Sequence, residues 1–463
     1  MKLSELTRRG WLKAAGIASG AAFLGATSAT DEAQADFVTK GNAKYGKKYD
    51  GSDVNPCIFK EGEILRPAMS VPKVSETDVL VVGGGPAGCC AAISAARAGV
   101  KVTLVERYNH FGGLATGGLV LIILGHWTKN QKGEKVQVLQ GIGEEMMQRL
   151  EKLPNGIVNR RHGVNPTIDA EVYKYLLVQM ITEANIDVYL HSWATEAIID
   201  DSPDPKTGNP VVKGVVIQTK TGPQAILAKQ IIDTTGDGDV FATCGAAYDR
   251  RLYNIGLPYR LGNLDRAKPA PGAKRPRFLG DLTPVSGVRW VNMGGPDADG
   301  VDVKELSRLE LQHRKRIWEQ YMEVKNTPGY EDVYLMETAP QLGVRITRVI
   351  EGTEELTLAG AKSGKKFDSC VGVGGAWGGD HIGWQVPYGC LISKNVENIL
   401  TAGRSICGSP DMSDLLRVIP NCWVTGHSAG AAAAVAVQDN CSARDVNLEK
   451  VRTLLRQQKA YLG

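Results

Sequence analysis

The sequence predicts an α/β fold, and three of its features carry that prediction. Asp78-Val79-Leu80-Val81-Val82 is an apolar run of the kind buried in parallel sheets, and it leads directly into Gly83-Gly84-Gly85-Pro86-Ala87-Gly88. Alternating runs at Val211–Gln218 and Ala225–Ile232 flank the turn Thr221-Gly222 and read as an antiparallel hairpin. A third buried strand, Ile399–Ala402, reaches Gly403, and small-residue helix follows from Gly426 to Val437. Together they predict a Rossmann-like parallel sheet with a β-meander. The change in composition over residues 251–385, with a loop at Pro269, Pro271 and Pro276, is read as part of a discontinuous α+β cap.

Each piece of the first unit has a physical role. Gly83 permits a tight turn, Gly85 lets backbone approach a diphosphate, and Gly88 lets helix and strand pack closely. The helical stretch Ala87–Ala98, ended by Gly99, points unpaired N–H groups and a positive dipole end at the phosphates. The second strand, Val100–Val105, ends in Glu106, placed to bond ribose hydroxyls and to disfavour a ribose phosphate. A second glycine-rich loop, Arg107 to Gly118, adds the clearance that an extended flavin nucleotide needs.

The 463 residues are 43% hydrophobic and 22% charged, which excludes a mostly disordered chain. A net charge of +4 argues against a strong field for nucleic acid or acidic lipid. Thr7-Arg8-Arg9-Gly10-Trp11-Leu12-Lys13 resembles a twin-arginine export signal. The weakly apolar Ala14–Ala26 and the small-x-small site Ala33-Gln34-Ala35 complete it, so residues 1–35 are expected to direct export to the periplasm through the twin-arginine machinery. That route carries folded proteins, commonly with their cofactor inserted. The apolar run is too short and glycine-rich to span a membrane, and no integral span is expected in the mature chain. Nine scattered cysteines lack Cys-x-x-Cys spacing, which removes a zinc ribbon, a thioredoxin-type dithiol and c-type haem attachment; no metal site is expected.

With these motifs in place, the chain resembles the FAD-dependent oxidoreductase family within the glutathione-reductase-like flavoproteins. The resemblance continues through Gly141-Ile142-Gly143-Glu144-Glu145, the Asp169–Ala184 helix, Ile231 to Asp239, Gly343 to Arg348, Val386-Pro387-Tyr388, and Asn398 to Gly430. It implies FAD held by Gly83, Gly85, Pro86, Ala87, Gly88, Glu106, Arg107, Gly112, Gly113, Ala115, Thr116, Ala194, Gly236, Gly403, Arg404, Arg417 and Ala429. It also implies a helix N-terminus beside the flavin. Pro410-Asp411 and Ile346 depart from the family pattern near the expected substrate pocket. The expected division is a lead-in at 36–75, an FAD-binding domain at 76–125, 166–250 and 390–440, a cap at 126–165 and 251–389, and a C-terminal tail at 441–463. Within the cap, Val303–Lys325 reads as an amphipathic helix.

For chemistry, Arg345 and Arg348 suggest a carboxylate clamp or, equally, salt bridges. His381, beside Asp380, is a candidate base, with Tyr388 a further catalytic candidate. Arg404 and Arg417 are suited to flavin or substrate contact, or to bracing the C-terminal block, and His110 and His427 to packing or phosphate contact. Gly372-Val373-Gly374-Gly375-Ala376-Trp377 misses the final glycine of a second dinucleotide motif. Electrons are therefore expected to pass to or from an external electron-transfer protein or quinone, oxygen, or a second substrate. The expected activity is hydride transfer to or from a small organic substrate. An electron relay without its own substrate and a flavin-dependent isomerase or lyase use the same fold.

Overall fold

The computed structural model describes residues 56–129, 132–161, 164–375 and 383–463. The export signal and its cleavage site lie outside them, as does His381. The chain divides into two compact units, one ending at Ser70 and one beginning at Val71. Within the first, Ile58–Lys60 and Glu63–Leu65 pair as a short antiparallel hairpin, where the sequence reading expected only an extended lead-in.

The second unit opens on β1 (Lys73–Val82), α1 (Pro86–Arg97) and β2 (Val102–Val105). Pro86 occupies the first helical position of α1, where its missing N–H costs nothing, and Gly99 at φ +89° ends the helix. Next come α2 (Gly141–Lys152), α3 (Ala170–Glu183), β3 (Asp187–Tyr189), β4 (Trp193–Ile199), β5 (Val212–Thr219) and β6 (Gly222–Asp233). Strands lie in the order β4-β5-β6-β1-β2-β3. β6 pairs in parallel with β1, β1 with β2 and β2 with β3, while β4, β5 and β6 form the antiparallel meander. The expected hairpin is present, turning at Thr219 and Gly222.

The cap sheet contains β7 (Tyr259–Gly262), β8 (Asp281–Leu282), β9 (Arg289–Val291) and β10 (Tyr334–Thr338), ordered β8-β9-β7-β10. Helix α4 (Val303–Lys325) has the predicted bounds, and Leu309, His313, Ile317, Tyr321 and Val324 form its buried stripe. In β7, buried Arg260 bonds Asp169 at 2.8 Å and also pairs with Glu337. Asp169 is itself the N-cap of α3, accepting from the N–H groups of Glu171 and Val172, so this ion pair ties the cap sheet to α3.

The chain then returns to the first sheet as β11 (Ile399–Thr401), parallel to the end of β6, and continues into α5 (Ile419–Gln438) and α6 (Leu448–Gln457). α5 starts seven residues before the expected Gly426, because Pro420 falls in its first turn, where proline is tolerated. Gly426 and Gly430 are its contact points with α1. A Cβ at Gly426 would sit 2.1 Å from the Ala87 carbonyl oxygen, and one at Gly430 2.2 Å from that of Ala91.

Core membership differs from the expected domain division in two places. Ile142, Met146, Met147 and Leu150 form one face of α2 and join the larger core with β1, α1 and α5. Leu356, Val371, Trp384 and Val386 join it too, so residues assigned to the cap by composition pack with the nucleotide-type sheet. No helix among the described residues is long and apolar enough to cross a membrane.

Candidate active site

One cavity of about 850 Å³ runs from the β1–α1 turn to the N-terminus of α5. That is within the roughly 300–1,000 Å³ of typical ligand pockets. Its first wall is the dinucleotide motif. Gly83 has φ +105°, and a Cβ there would lie 2.4 Å from the Thr234 carbonyl oxygen. Gly85 has extended backbone, yet an added Cβ would meet only the Gly113 Cα at 4.0 Å, so it would project into the open cradle. Pro86 and Ala87 place the first turn of α1 on the cavity, where helical geometry leaves N–H groups free for an anion. Glu106 is buried; its carboxylate accepts from Gly84 N–H at 2.7 Å and Tyr108 N–H at 2.8 Å, which holds the loop against the motif.

Beyond Glu106 the lining passes to Arg107, Tyr108, Ser192, Trp193 and Ala194. The Arg107 guanidinium lies 4.9 Å from the Tyr108 ring centre and 5.3 Å from that of Trp193. Trp193 is half exposed, and with Arg107 it offers flat surfaces suited to a purine. The sequence reading selected Ala194 and missed its neighbour Trp193.

The turn after β6 forms another wall. Buried Asp233 accepts from the Thr235 hydroxyl and N–H and from the N–H groups of Val240 and Phe241, fixing Thr234–Asp239; burial pushes its carboxyl upward. Burial, then the Asp237 and Asp233 carboxylates, raise Asp239 to about 6. Gly236, at φ +79°, leaves room for Arg404: a Cβ would lie 2.3 Å from its guanidinium. Arg404 donates to Asp237 at 3.1 Å and to the Arg345 carbonyl oxygen at 3.0 Å. Gly403 N–H donates to the Thr425 hydroxyl of α5, which docks this turn on the helix.

Arg345 and Arg348 both line the cavity, and of the two readings the sequence left open, clamp or salt bridges, Arg348 follows the second. Arg348 is committed to Asp239 at 3.1 Å and the Asp237 carbonyl oxygen at 2.9 Å, at the nucleotide end. Arg345 instead donates to both the carbonyl and side-chain oxygens of Asn254. Burial, then the nearby Arg417 cation, push its guanidinium below its ordinary value. Arg417 bonds Asp414, and its guanidinium lies 5.8 Å from the Tyr253 ring centre. Although burial alone would raise Asp414, the Tyr253 hydroxyl and the Arg417 guanidinium outweigh it and hold the carboxyl low. Arg345 thus shares the cavity with a second cation, Arg417, 72 residues away in sequence, beside Val418 and Ile419 at the start of α5.

Several predicted site residues act elsewhere. Tyr388 is in the core, its hydroxyl donating to the Ala443 carbonyl oxygen at 2.6 Å; burial raises it, and it does not line the cavity. It belongs to the family-like Val386-Pro387-Tyr388 segment, but the side chain turns into the core. Ala429 is buried within α5, three turns from its N-terminus. Gly88, Gly112 and Thr116 shape the site from behind. A Cβ at Gly88 would lie 1.8 Å from the Gly83 carbonyl oxygen; Gly112 N–H bonds the Gly84 carbonyl oxygen; the Thr116 hydroxyl bonds that of Phe111. Gly113 and Ala115 do line the cavity. His427 packs α5 against the C-terminal helix, bonding Gln458 at 2.7 Å, with burial depressing it to about 4. His110 stacks on Tyr108 and contacts the Thr116 hydroxyl.

The family model for FAD dependent oxidoreductases matches residues 78–250 and 280–455, more than half of the chain. The chain belongs to the FAD-dependent oxidoreductase family. FAD is the cofactor of this oxidoreductase, and the open cradle at Gly85, the α1 N-terminus and the Glu106–Trp193 wall fit it. A thiamine thiazole synthase of Metallosphaera sedula is 26% identical over 40% of this chain and 61% of its own length. A fumarate reductase (cytochrome) of Shewanella frigidimarina is 36% identical over 20% of this chain and 17% of its own. The chain thus spans less than two thirds of either relative. A solved geranylgeranyl bacteriochlorophyll reductase-like structure from Thermoplasma acidophilum aligns over 83% of each chain at 16% identity, with a TM-score of 0.44.

Proposed function

We propose that this protein is an exported, glutathione-reductase-like flavoenzyme that transfers a hydride to or from a small organic substrate bearing an oxyanion. The supporting observation is the pair Arg345 and Arg417 in the same cavity as the Gly85 cradle and beside the α5 N-terminus. Two neighbouring guanidinium groups served by one carboxylate, Asp414, leave positive charge that an anionic ligand would neutralise.

Bound FAD supplies two-electron, hydride-equivalent chemistry. The protein's part is binding and orientation. Gly83, Gly85 and the first turn of α1 would hold the diphosphate, Glu106 the ribose, and Arg107 with Trp193 the adenine. Arg345 and Arg417 would fix the substrate oxyanion, Asn254 and Asp414 holding the two guanidinium groups in place. The Cys422 thiol also lines this end, but burial pushes it up to about 12, so it stays protonated at neutral pH. In this reading the two electrons are exchanged with an external electron-transfer protein or quinone. Export rests on residues 7–13 and 33–35, and it would place the enzyme in the periplasm.

The test is anaerobic mixing of the yellow holoprotein with candidate acids, and of its dithionite-reduced form with their unsaturated counterparts. Bleaching or re-oxidation by an acid, weakened in Arg345→Ala at unchanged FAD content, is expected. Equal rates in wild type and Arg345→Ala would remove the arginine from the site.

A further inference from the structure

The charge count around the cavity and the chemistry of its remaining walls narrow the substrate further. Among the described lining residues the acids are Glu106, Asp237, Asp239 and Glu310. Asp237 and Asp239 pair with Arg404 and Arg348, each at 3.1 Å, and Glu310 pairs with Arg314 at 3.0 Å. At the α5 end, Arg345 and Arg417 both line the cavity; Arg417 is bonded to the Asp414 carboxylate, while Arg345 donates to the neutral oxygens of Asn254. That end therefore has one unbalanced positive charge, enough for one substrate anion.

The same cavity also has an apolar lining, broken by Asn292, Ser307 and Gln341. Val120 packs against the nucleotide-type core, while Ile122, Trp290, Leu342 and Val344 belong to or pack against the cap core, and Pro258 lies beside them in sequence. A second substrate carboxylate would have to rest against this lining without a cation, and an unpaired charge in such surroundings is costly.

We propose that the substrate is a monoanion with a bulky apolar body, such as an aryl-substituted or branched carboxylate, and that small dicarboxylates are disfavoured. The inference rests on the reading that Arg345 and Arg417 hold the substrate's oxyanion. It separates from that reading in a binding experiment on the FAD-loaded protein, using perturbation of the flavin absorption spectrum as readout. Three probes suffice: 3-phenylpropanoate, succinate and 3-phenylpropanol.

Burial of the phenyl body predicts that 3-phenylpropanoate binds at least about tenfold more tightly than succinate, and the ion pair predicts a similar margin over the alcohol. Succinate binding as tightly as 3-phenylpropanoate overturns the proposal and leaves the oxyanion site standing. Alcohol and acid binding alike overturns the oxyanion reading and the proposal with it; so does a spectrum that none of the three perturbs. In Leu342→Ala, 3-phenylpropanoate should weaken about tenfold with succinate unchanged. Equal weakening of both would remove the apolar wall from substrate selection, against the proposal.

Discussion

At the α1 end of the cavity, the turn, the helix N-terminus and the acid come from one uninterrupted stretch, residues 83–106. At the α5 end, the lining comes from residues near 120, 258, 290, 342 and 417. The first end is local chemistry, in which glycine conformation and helix start are decided by neighbours in sequence. The second is long-range chemistry, in which Arg345 acquires its meaning from Arg417 only after the cap has folded back on the sheet. If the first end holds FAD and the second the substrate, as proposed, the two should respond differently to substitution.

The largest expected effect tests the packing behind the first end. Gly88→Ala forces a Cβ against the Gly83 carbonyl oxygen, where helix and strand are both fixed. It should cost ~3 kcal/mol or more, read as a large drop in melting temperature with loss of FAD; an unchanged melting temperature would show that α1 is free to shift. Next is Arg345→Ala, which should cut kcat/KM for the best acid substrate on the order of 100-fold while FAD content and melting temperature stay near wild type. Loss of FAD from that variant would erase the distinction between the two ends.

A smaller effect is expected at the adenine wall. Trp193→Ala should weaken FAD binding by ~1–2 kcal/mol, measured by equilibrium titration of apoprotein, without altering substrate preference. The smallest concerns pH. Asp239 has its folded value raised to about 6 from an ordinary 3.8, so in that interval the folded state holds more protons than the unfolded one. Its contribution to stability is present below about pH 4 and is lost as pH rises through about 6. Apoprotein should therefore lose stability relative to Asp239→Asn over that range, on the order of 1 kcal/mol after allowance for partial solvent exposure. Parallel pH profiles for the two proteins would remove Asp239 as the source.

The same contrast explains what could be read from the amino acids alone. The β1–α1–β2 unit, the Thr221-Gly222 hairpin and the helix Val303–Lys325 each follow from periodicity and local turn chemistry, and all are present. Pro420 was legible as a helix-start signal, since proline is favoured in a first turn, but the run of small residues from Gly426 drew the boundary later. Tyr388 looked like a site residue because Val386-Pro387-Tyr388 matches the family resemblance; which face of the chain it occupies depends on Ala443, far along the sequence. Asp237 and Asp239 stood in a visible acidic turn, yet their roles required Arg348 and Arg404 to arrive from other segments. α2 fell within the expected cap segment 126–165, whereas its Ile142–Met146–Leu150 face packs into the larger core.

The central claim is that FAD lies with its diphosphate at Gly85 and the first turn of α1. Gly85→Val tests it directly, because the backbone there is extended and the new side chain meets open cradle rather than packed atoms. The measurement is the FAD-to-protein ratio of the purified variant beside its circular dichroism and melting temperature. A folded, colourless protein with near wild-type melting of the apo form is the predicted result. A folded Gly85→Val protein that keeps a full complement of FAD would contradict the account.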